Sequence, residues 1–146
     1  MKRFEFPLER ALAMRRIDRD REVAKLEIAL AAERAIQGKQ AANEHDLSSG
    51  RQWRRAIQSA EAVDLAAEDA WRAHLLALNR RLDRDLEAAR RTTAEQRVAV
   101  ANAERRVRLI ERLEQARRRE WRSAVDRELE ATAQELWLAR WRNPRG

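Results

Sequence analysis

Between Gly50 and Pro144 the chain contains neither glycine nor proline. Glycine and proline in a helix interior cost about 1 and about 3 kcal/mol relative to alanine, and their absence permits one very long helix or two joined end to end. Arg, Glu and Ala fill the stretch, and Leu, Val, Ile and Trp recur in it at helical spacing. A chain of 146 residues that spends most of its length this way is expected to be a rod. Rods reach, clamp or transmit force, and they seldom enclose a reaction.

Composition narrows the fold to the same class. Charged residues make up 39% of the chain, there is no Tyr, and only two Phe are present. The hydrophobic 44% is carried largely by alanine, too little bulk for a thick globular core. Abundant Ala, Glu, Leu and Arg with helical periodicity is the signature of a coiled coil. Disorder competes for so charged a chain, but helix formers and periodic apolar residues argue against it. Without cysteine, neither a disulfide nor a thiolate metal site can form. Glu5, Pro7, Glu9 and Arg10 interrupt any apolar segment after Lys2 and Arg3, so no signal peptide is expected. No apolar run reaches transmembrane length, and cytoplasm is the expected location. Net charge is +7, and arginine supplies all of the 32 basic residues except Lys2, Lys25 and Lys39.

The apolar pattern predicts two helices. Helix one is expected over about 6–45, with Pro7 in its first turn. Leu8, Leu12, Val23, Leu26, Leu30 and Ile36 form its stripe. Arg15, Arg16, Arg19 and Arg21 interrupt that stripe but alternate with Asp18, Asp20 and Glu22, which favours helix through i,i+3 and i,i+4 pairs. Asn43 to Gly50 is the only cluster of turn formers, which places the loop at about 46–51 with Ser48 or Ser49 as candidate cap.

Helix two is then expected over about 52–142, ending before Pro144 and Gly146. It carries three registers. Trp53, Ile57, Ala60, Val63, Ala67 and Trp71 form the first. The second is a four-three heptad of Leu75, Leu82, Leu86, Ala89, Val100, Ala103, Val107 and Ile110, with Asn79, Thr93 and Gln96 as polar members. The third is Trp121, Val125, Leu129, Ala133 and Leu136. At 1.5 Å per residue helix two would measure about 140 Å and helix one about 60 Å. Either helix two overhangs helix one, or a break between residues 70 and 95 folds part of it back. The fold class is therefore all-α, an antiparallel two-helix coiled-coil hairpin forming a single domain.

No residue pattern points to catalysis. His45 and His74 are the only histidines, and no spacing of metal ligands accompanies them. The carboxylates lie among arginines on helix faces, whereas paired catalytic acids require a cleft. No glycine-rich loop offers a phosphate cradle. The segment Glu104 to Arg122 holds eight arginines against four glutamates. A nucleic-acid helix is one reading of it; a solvated coiled-coil flank, or a basic helix docking on an acidic protein surface, fits its interspersed acids better. Tryptophan is the unusual residue for such a chain. A thin two-helix seam cannot bury all of Trp53, Trp71, Trp121, Trp137 and Trp141, and exposed aromatic and arginine side chains are typical interface anchors. Trp53, Trp121, Trp137 and Trp141 are therefore candidate partner contacts.

The opening Arg3-Phe4-Glu5-Phe6-Pro7-Leu8-Glu9-Arg10-Ala11-Leu12 resembles the start of the flagellar export protein FliJ family, where a short aromatic and leucine segment leads into a charged helix. Glu104-Arg105-Arg106-Val107, through Leu109, Leu113 and Glu114 to Arg127-Glu128 and Leu129, resembles that family's second long helix. The likeness runs over nearly the whole chain, including the loop followed by Trp53, and departs from it in the aromatic end Leu136-Trp137-Leu138-Ala139-Arg140-Trp141.

The resemblance implies a cytoplasmic protein, peripheral at the inner-membrane type III export apparatus and similar to the gamma stalk of rotary ATPases. Its implied partners are the export ATPase hexamer, the export gate membrane protein and substrate chaperones, with no small-molecule substrate and no cofactor. Leu8 to Arg21 and Trp121 to Trp141 would enter the ATPase ring and promote its assembly and activity. Ile36 to Trp71 would face the gate, with Val63 and Ala66 matching the family's gate contacts. The stalk of a virulence type III secretion system, a basic nucleic-acid-binding coiled coil and a dimeric coiled-coil scaffold are the alternatives.

Overall fold

The computed structural model describes residues 3–57 and 61–143. Among these the chain forms two helices packed against each other, an all-α hairpin. Helix α1 is Glu9–Ala56 and helix α2 is Ala62–Arg142. The seam position expected at Ala60 and the helix stop expected at Pro144 and Gly146 lie outside the described residues, as does Lys2.

The turn is not where the turn-forming residues are. Asn43 to Gly50 is helical throughout, α1 continues to Ala56, and α2 begins at Ala62 rather than near residue 52. Propensity is outweighed there by packing: Asn43 is buried, and Leu47, Ser48 and Gly50 are half-buried. Each such residue costs at most about 1 kcal/mol in a helix, which tertiary contacts override. The reversal occurs inside the stretch free of glycine and proline. Charge order marks the boundary instead, with Arg54 and Arg55 in the last turn of α1 and Asp64 in the first turn of α2. Both placements complement the helix dipoles. The Glu61 carbonyl accepts from the Asp64 and Leu65 amides at 3.0 and 3.2 Å, so Glu61 closes the N-terminus of α2. At the other end of the hairpin, Pro7 stands in a turn before α1 and not in its first helical turn. The Glu9 amide donates to the Phe6 carbonyl at 3.1 Å, and the Leu8 carbonyl takes the Leu12 amide at 2.8 Å.

Contacts divide the chain into two compact units. One combines the N-terminal stretch through Arg19 with α2 from Asn102 onward; the other runs from Asp20 to Ala101.

In the unit Asp20–Ala101 the predicted heptad is the seam. Leu75, Leu82, Leu86 and Thr93 are buried; Asn79, Ala89, Gln96 and Val100 are half-buried. Opposite them Val23, Leu26, Leu30 and Ile36 of α1 are half-buried. The polar members of the stripe each reach α1. Gln96 Nε2 donates to the Glu22 carbonyl at 3.0 Å and to Glu22 Oε2 at 2.6 Å. Thr93 Oγ1 lies 3.1 Å from Glu33 Oε2, and Gln40 Nε2 donates to Asp83 Oδ1 at 2.7 Å. Buried Asn43 donates through Nδ2 to the Leu75 carbonyl at 3.1 Å and to Asn79 Oδ1 at 3.3 Å. Numbers rise along α1 as they fall along α2, which makes the pairing antiparallel. A buried polar residue in an apolar seam penalises slipped registers, since a slip would leave the Asn43 Nδ2 donor unpaired.

Helix α2 is continuous through residues 70–95, so the alternative of a break there is ruled out. The weak helix formers Thr92 and Thr93 remain helical, and their hydroxyls lie within hydrogen-bonding distance of the Ala88 and Ala89 carbonyls, at 3.2 and 3.1 Å.

In the unit containing both chain ends, Leu12, Ala103 and Val107 are buried and Ile110 is half-buried. Arg16 Nη2 contacts Glu111 Oε1 at 3.0 Å. Past Val125 the cover ends: every described residue from Asp126 to Asn143 is exposed. With 48 residues in α1 and 81 in α2, the predicted length mismatch takes the form of an overhang.

Candidate partner-binding surfaces

Within the unit Asp20–Ala101, α1 and α2 frame an open groove of about 630 Å³ beside the turn. Trp53 and Trp71 supply its indole walls, and Asp46, Asp64 and Glu68 its carboxylates. Trp53 belongs to α1, not to the second helix as expected, because the turn lies farther along the chain. It is 41% exposed. Trp71 stacks on His74 with ring centroids 5.7 Å apart. Arg54 spans the two helices, reaching Glu68 Oε2 at 2.8 Å and also pairing with Asp69. Val63 and Ala66 occupy the first turns of α2 and are exposed, with Val63 at 75%. They lie beside the groove's α2 residues in sequence without lining it. His45 is exposed on α1.

In the other unit the N-terminal aromatics fold onto α2. The Phe4 ring meets Trp121 edge-on, with centroids 5.9 Å apart and planes at 60°. The Arg118 guanidinium lies over the Phe4 ring, 4.9 Å from its centroid. Trp121 is thereby half-buried, and its register with Val125 carries the last cover of α2. Phe4, Phe6, Leu12, Arg16, Glu114 and Arg118 border a cavity of about 880 Å³.

Trp137 and Trp141 sit one turn apart on the bare end, their rings 5.9 Å apart and inclined at 32°. They are 60% and 75% exposed, with Leu129, Leu136 and Leu138 also at least half exposed. Sequence spacing alone placed these two indoles together. The pairing of Trp53 with Trp71 across a groove was not legible, because both were assigned to one helix.

The arginine-rich segment is partly neutralised by its own acids. Arg108 pairs with Glu104 at 3.1 Å and Arg118 with Glu114 at 2.8 Å, and Glu111 holds Arg16. These exposed pairs contribute about 0–1 kcal/mol each, yet they withdraw charge from any phosphate-facing stripe. The Glu22 carboxyl is held below its usual range. The cause is first the Gln96 hydrogen bond, then Lys25 at 3.1 Å.

Among the described residues no group of three or more His, Cys, Asp or Glu is arranged to hold a metal ion, and no helix is long and apolar enough to cross a membrane. The chain matches no known protein-family model, no curated protein and no solved structure.

Proposed function

We propose that this protein is a helical stalk and adaptor of the flagellar type III protein export apparatus. In this reading the end of α2 engages the export ATPase hexamer, and the region around the turn faces the export gate and the substrate chaperones. One observation carries the reading: an antiparallel hairpin whose second helix continues beyond its cover with Trp137 and Trp141 bare. Exposed tryptophans on a rigid helix are the anchors that dominate protein interfaces, since they bury large area at small entropic cost. The similarity of the opening residues to the FliJ family supplies the partner's identity. The chain would act by docking and not by chemistry.

Stimulation of a purified export ATPase tests this reading. The intact chain is expected to raise ATP turnover and to bind the hexamer. The double substitution Trp137→Ala and Trp141→Ala removes a contact worth about 2 kcal/mol or more, so roughly 30-fold more protein is needed for the same effect. Unchanged stimulation by the variant removes these residues from the interface, and absence of any stimulation by the intact chain removes the ATPase as partner. The basic segment 104–122 supports a second reading less well, because its own glutamates already pair with Arg108 and Arg118. Tight, salt-dependent binding of duplex DNA near physiological ionic strength would revive it.

A further inference from the structure

We infer that the groove beside the turn binds a basic protein segment through two of its arginine side chains, one against each indole. The inference stands whether or not the export reading holds, because it names the chemistry of the partner segment and not the partner.

The first argument is a repeated pattern. Asp46, Ser49 and Trp53 on α1 follow the same order and spacing as Asp64, Ala67 and Trp71 on α2. In each helix a carboxylate, a small residue and an indole stand at positions i, i+3 and i+7, which share one face. All six line the groove. The contacts of Asn43 with Leu75 and of Arg54 with Glu68 fix the two helices antiparallel. Trp53 therefore stands level with Asp64, and Trp71 level with Asp46. The groove is two half-sites of one design, each an indole from one helix and a carboxylate from the other, with small residues between them.

The second argument is charge. The chain carries +7, yet among the described residues three carboxylates and no cation line this groove. An anion would be repelled, and an apolar occupant would strip water from the carboxylates without pairing them. A guanidinium suits both components, since its flat face stacks on an indole while its edge donates to a carboxylate. Both indoles are exposed and open to such stacking.

The third argument is a carboxylate whose hydrogen bonding is incomplete. Glu68 lines the groove with its side chain only 10% exposed. Arg54 Nη2 stands 2.8 Å from Glu68 Oε2 without the alignment of a hydrogen bond, and that buried oxygen has no donor among the described residues. Buried carboxylate oxygens ordinarily take donors, so the missing one is a donor that an occupant can supply.

Spacing sets what the segment must present. Seven residues of helix separate the two half-sites, about 10 Å at 1.5 Å per residue. Three residues of extended chain span about the same distance. Two arginines three positions apart on an extended segment thus reach both half-sites, whereas adjacent arginines reach one.

Calorimetric titration of the intact chain with a Gly/Ser peptide carrying two arginines three positions apart is expected to show saturable binding with Kd below about 1 mM. Replacing either arginine by citrulline, which keeps the shape and removes the charge, should weaken binding about tenfold, and so should placing the arginines side by side. Asp46→Asn, Asp64→Asn and Trp71→Leu should each weaken it by roughly 3–10-fold with unchanged helical circular dichroism, while Asp126→Asn in the other unit should not. Absence of saturable binding overturns the inference. Equal binding of the two spacings, or of the citrulline peptides, overturns the pair of half-sites. Spermidine binding as tightly as the peptide overturns a protein segment as the occupant. Self-association in sedimentation that is abolished by Asp46→Asn together with Asp64→Asn overturns a separate partner and gives the groove to arginines of a second copy.

Discussion

Helix α2 carries the same kind of apolar stripe in two places, with opposite outcomes. Over Leu75–Val100 every member of the stripe is buried or half-buried against α1; over Leu129–Trp141 every member is exposed. Both stretches mix leucine, alanine and charge at helical spacing, so the difference does not originate in α2. It comes from the supply of a partner: α1 has 48 residues to offer against 81. Periodicity tells which face of a helix seeks cover, and the length of the neighbouring element decides how much of that face receives it. The covered stretch is where polar members acquire specific partners, and the bare stretch leaves Trp137 and Trp141 largely exposed.

The sharpest way to break this comparison is to truncate one leucine in each stretch. Leu82 is 5% exposed and Leu138 is 54% exposed. Leu82→Ala leaves a cavity in the seam and is expected to cost about 2–5 kcal/mol in urea denaturation. Leu138→Ala, off the apolar stripe on the bare end, should fall within about 0.5 kcal/mol of the parent. Comparable losses at both sites would mean that the bare end is covered within the monomer.

A smaller effect separates register from stability. Asn43→Ala removes the buried donor that reaches Asn79 Oδ1 and, beside its helical bond, the Leu75 carbonyl, and is expected to cost about 1–3 kcal/mol. Replacing Asn43 and Asn79 together by leucine should be neutral or stabilising, while loosening the choice of register. Hydrogen exchange along α1 reads the difference: slippage appears as lower protection at unchanged or higher melting temperature.

The seam was legible in the sequence because its signal is long. From Leu75 to Ile110 the heptad repeats without a lapse, and even Asn79, Thr93 and Gln96 fall on the predicted face. The turn was not legible from residue type. Asn43, Ser48, Ser49 and Gly50 are turn formers in isolation, yet each tolerates helix at modest cost, and burial of Asn43 against α2 repays it. The real boundary is written in charge, with Arg54 and Arg55 before it and Glu61 and Asp64 after it, a weaker signal in a chain that is charged throughout. Misplacing the turn by some ten residues moved Trp53 to the wrong helix and concealed the groove it forms with Trp71. The bare end was legible in kind, since a thin seam cannot bury five indoles, but nothing in residue type shows that Phe4 reaches back to Trp121 and not to Trp137 or Trp141.

Gly38 extends the same lesson to the exposed side of α1. It is helical, and a Cβ added there would meet nothing within 4 Å. Gly38→Ala should therefore raise stability by about 0.5–1 kcal/mol through the entropy of the unfolded chain and better helix propensity. A loss of stability at this position would show that α1 needs a flexible point in the covered stretch.

The smallest effect lies at Glu22, where the covered stretch meets solvent. Its carboxylate accepts from Gln96 and pairs with Lys25, so the charged form is favoured in the folded chain and its pKa is lowered. A carboxyl with a depressed folded pKa contributes stability that is present above its unfolded pKa. That contribution is lost as pH falls through the folded value, because the protonated acid can no longer accept both bonds. Thermal unfolding between neutral and acidic pH should therefore show a slightly steeper loss for the parent than for Glu22→Gln, whose side chain does not titrate. Gln96→Leu should flatten the profile in the same way, since it removes the main cause of the shift. If Glu22→Gln followed the parent over the whole range, the Gln96 bond would carry no linkage to protonation. The polar members of the seam would then act only through burial and register, as Asn43 does.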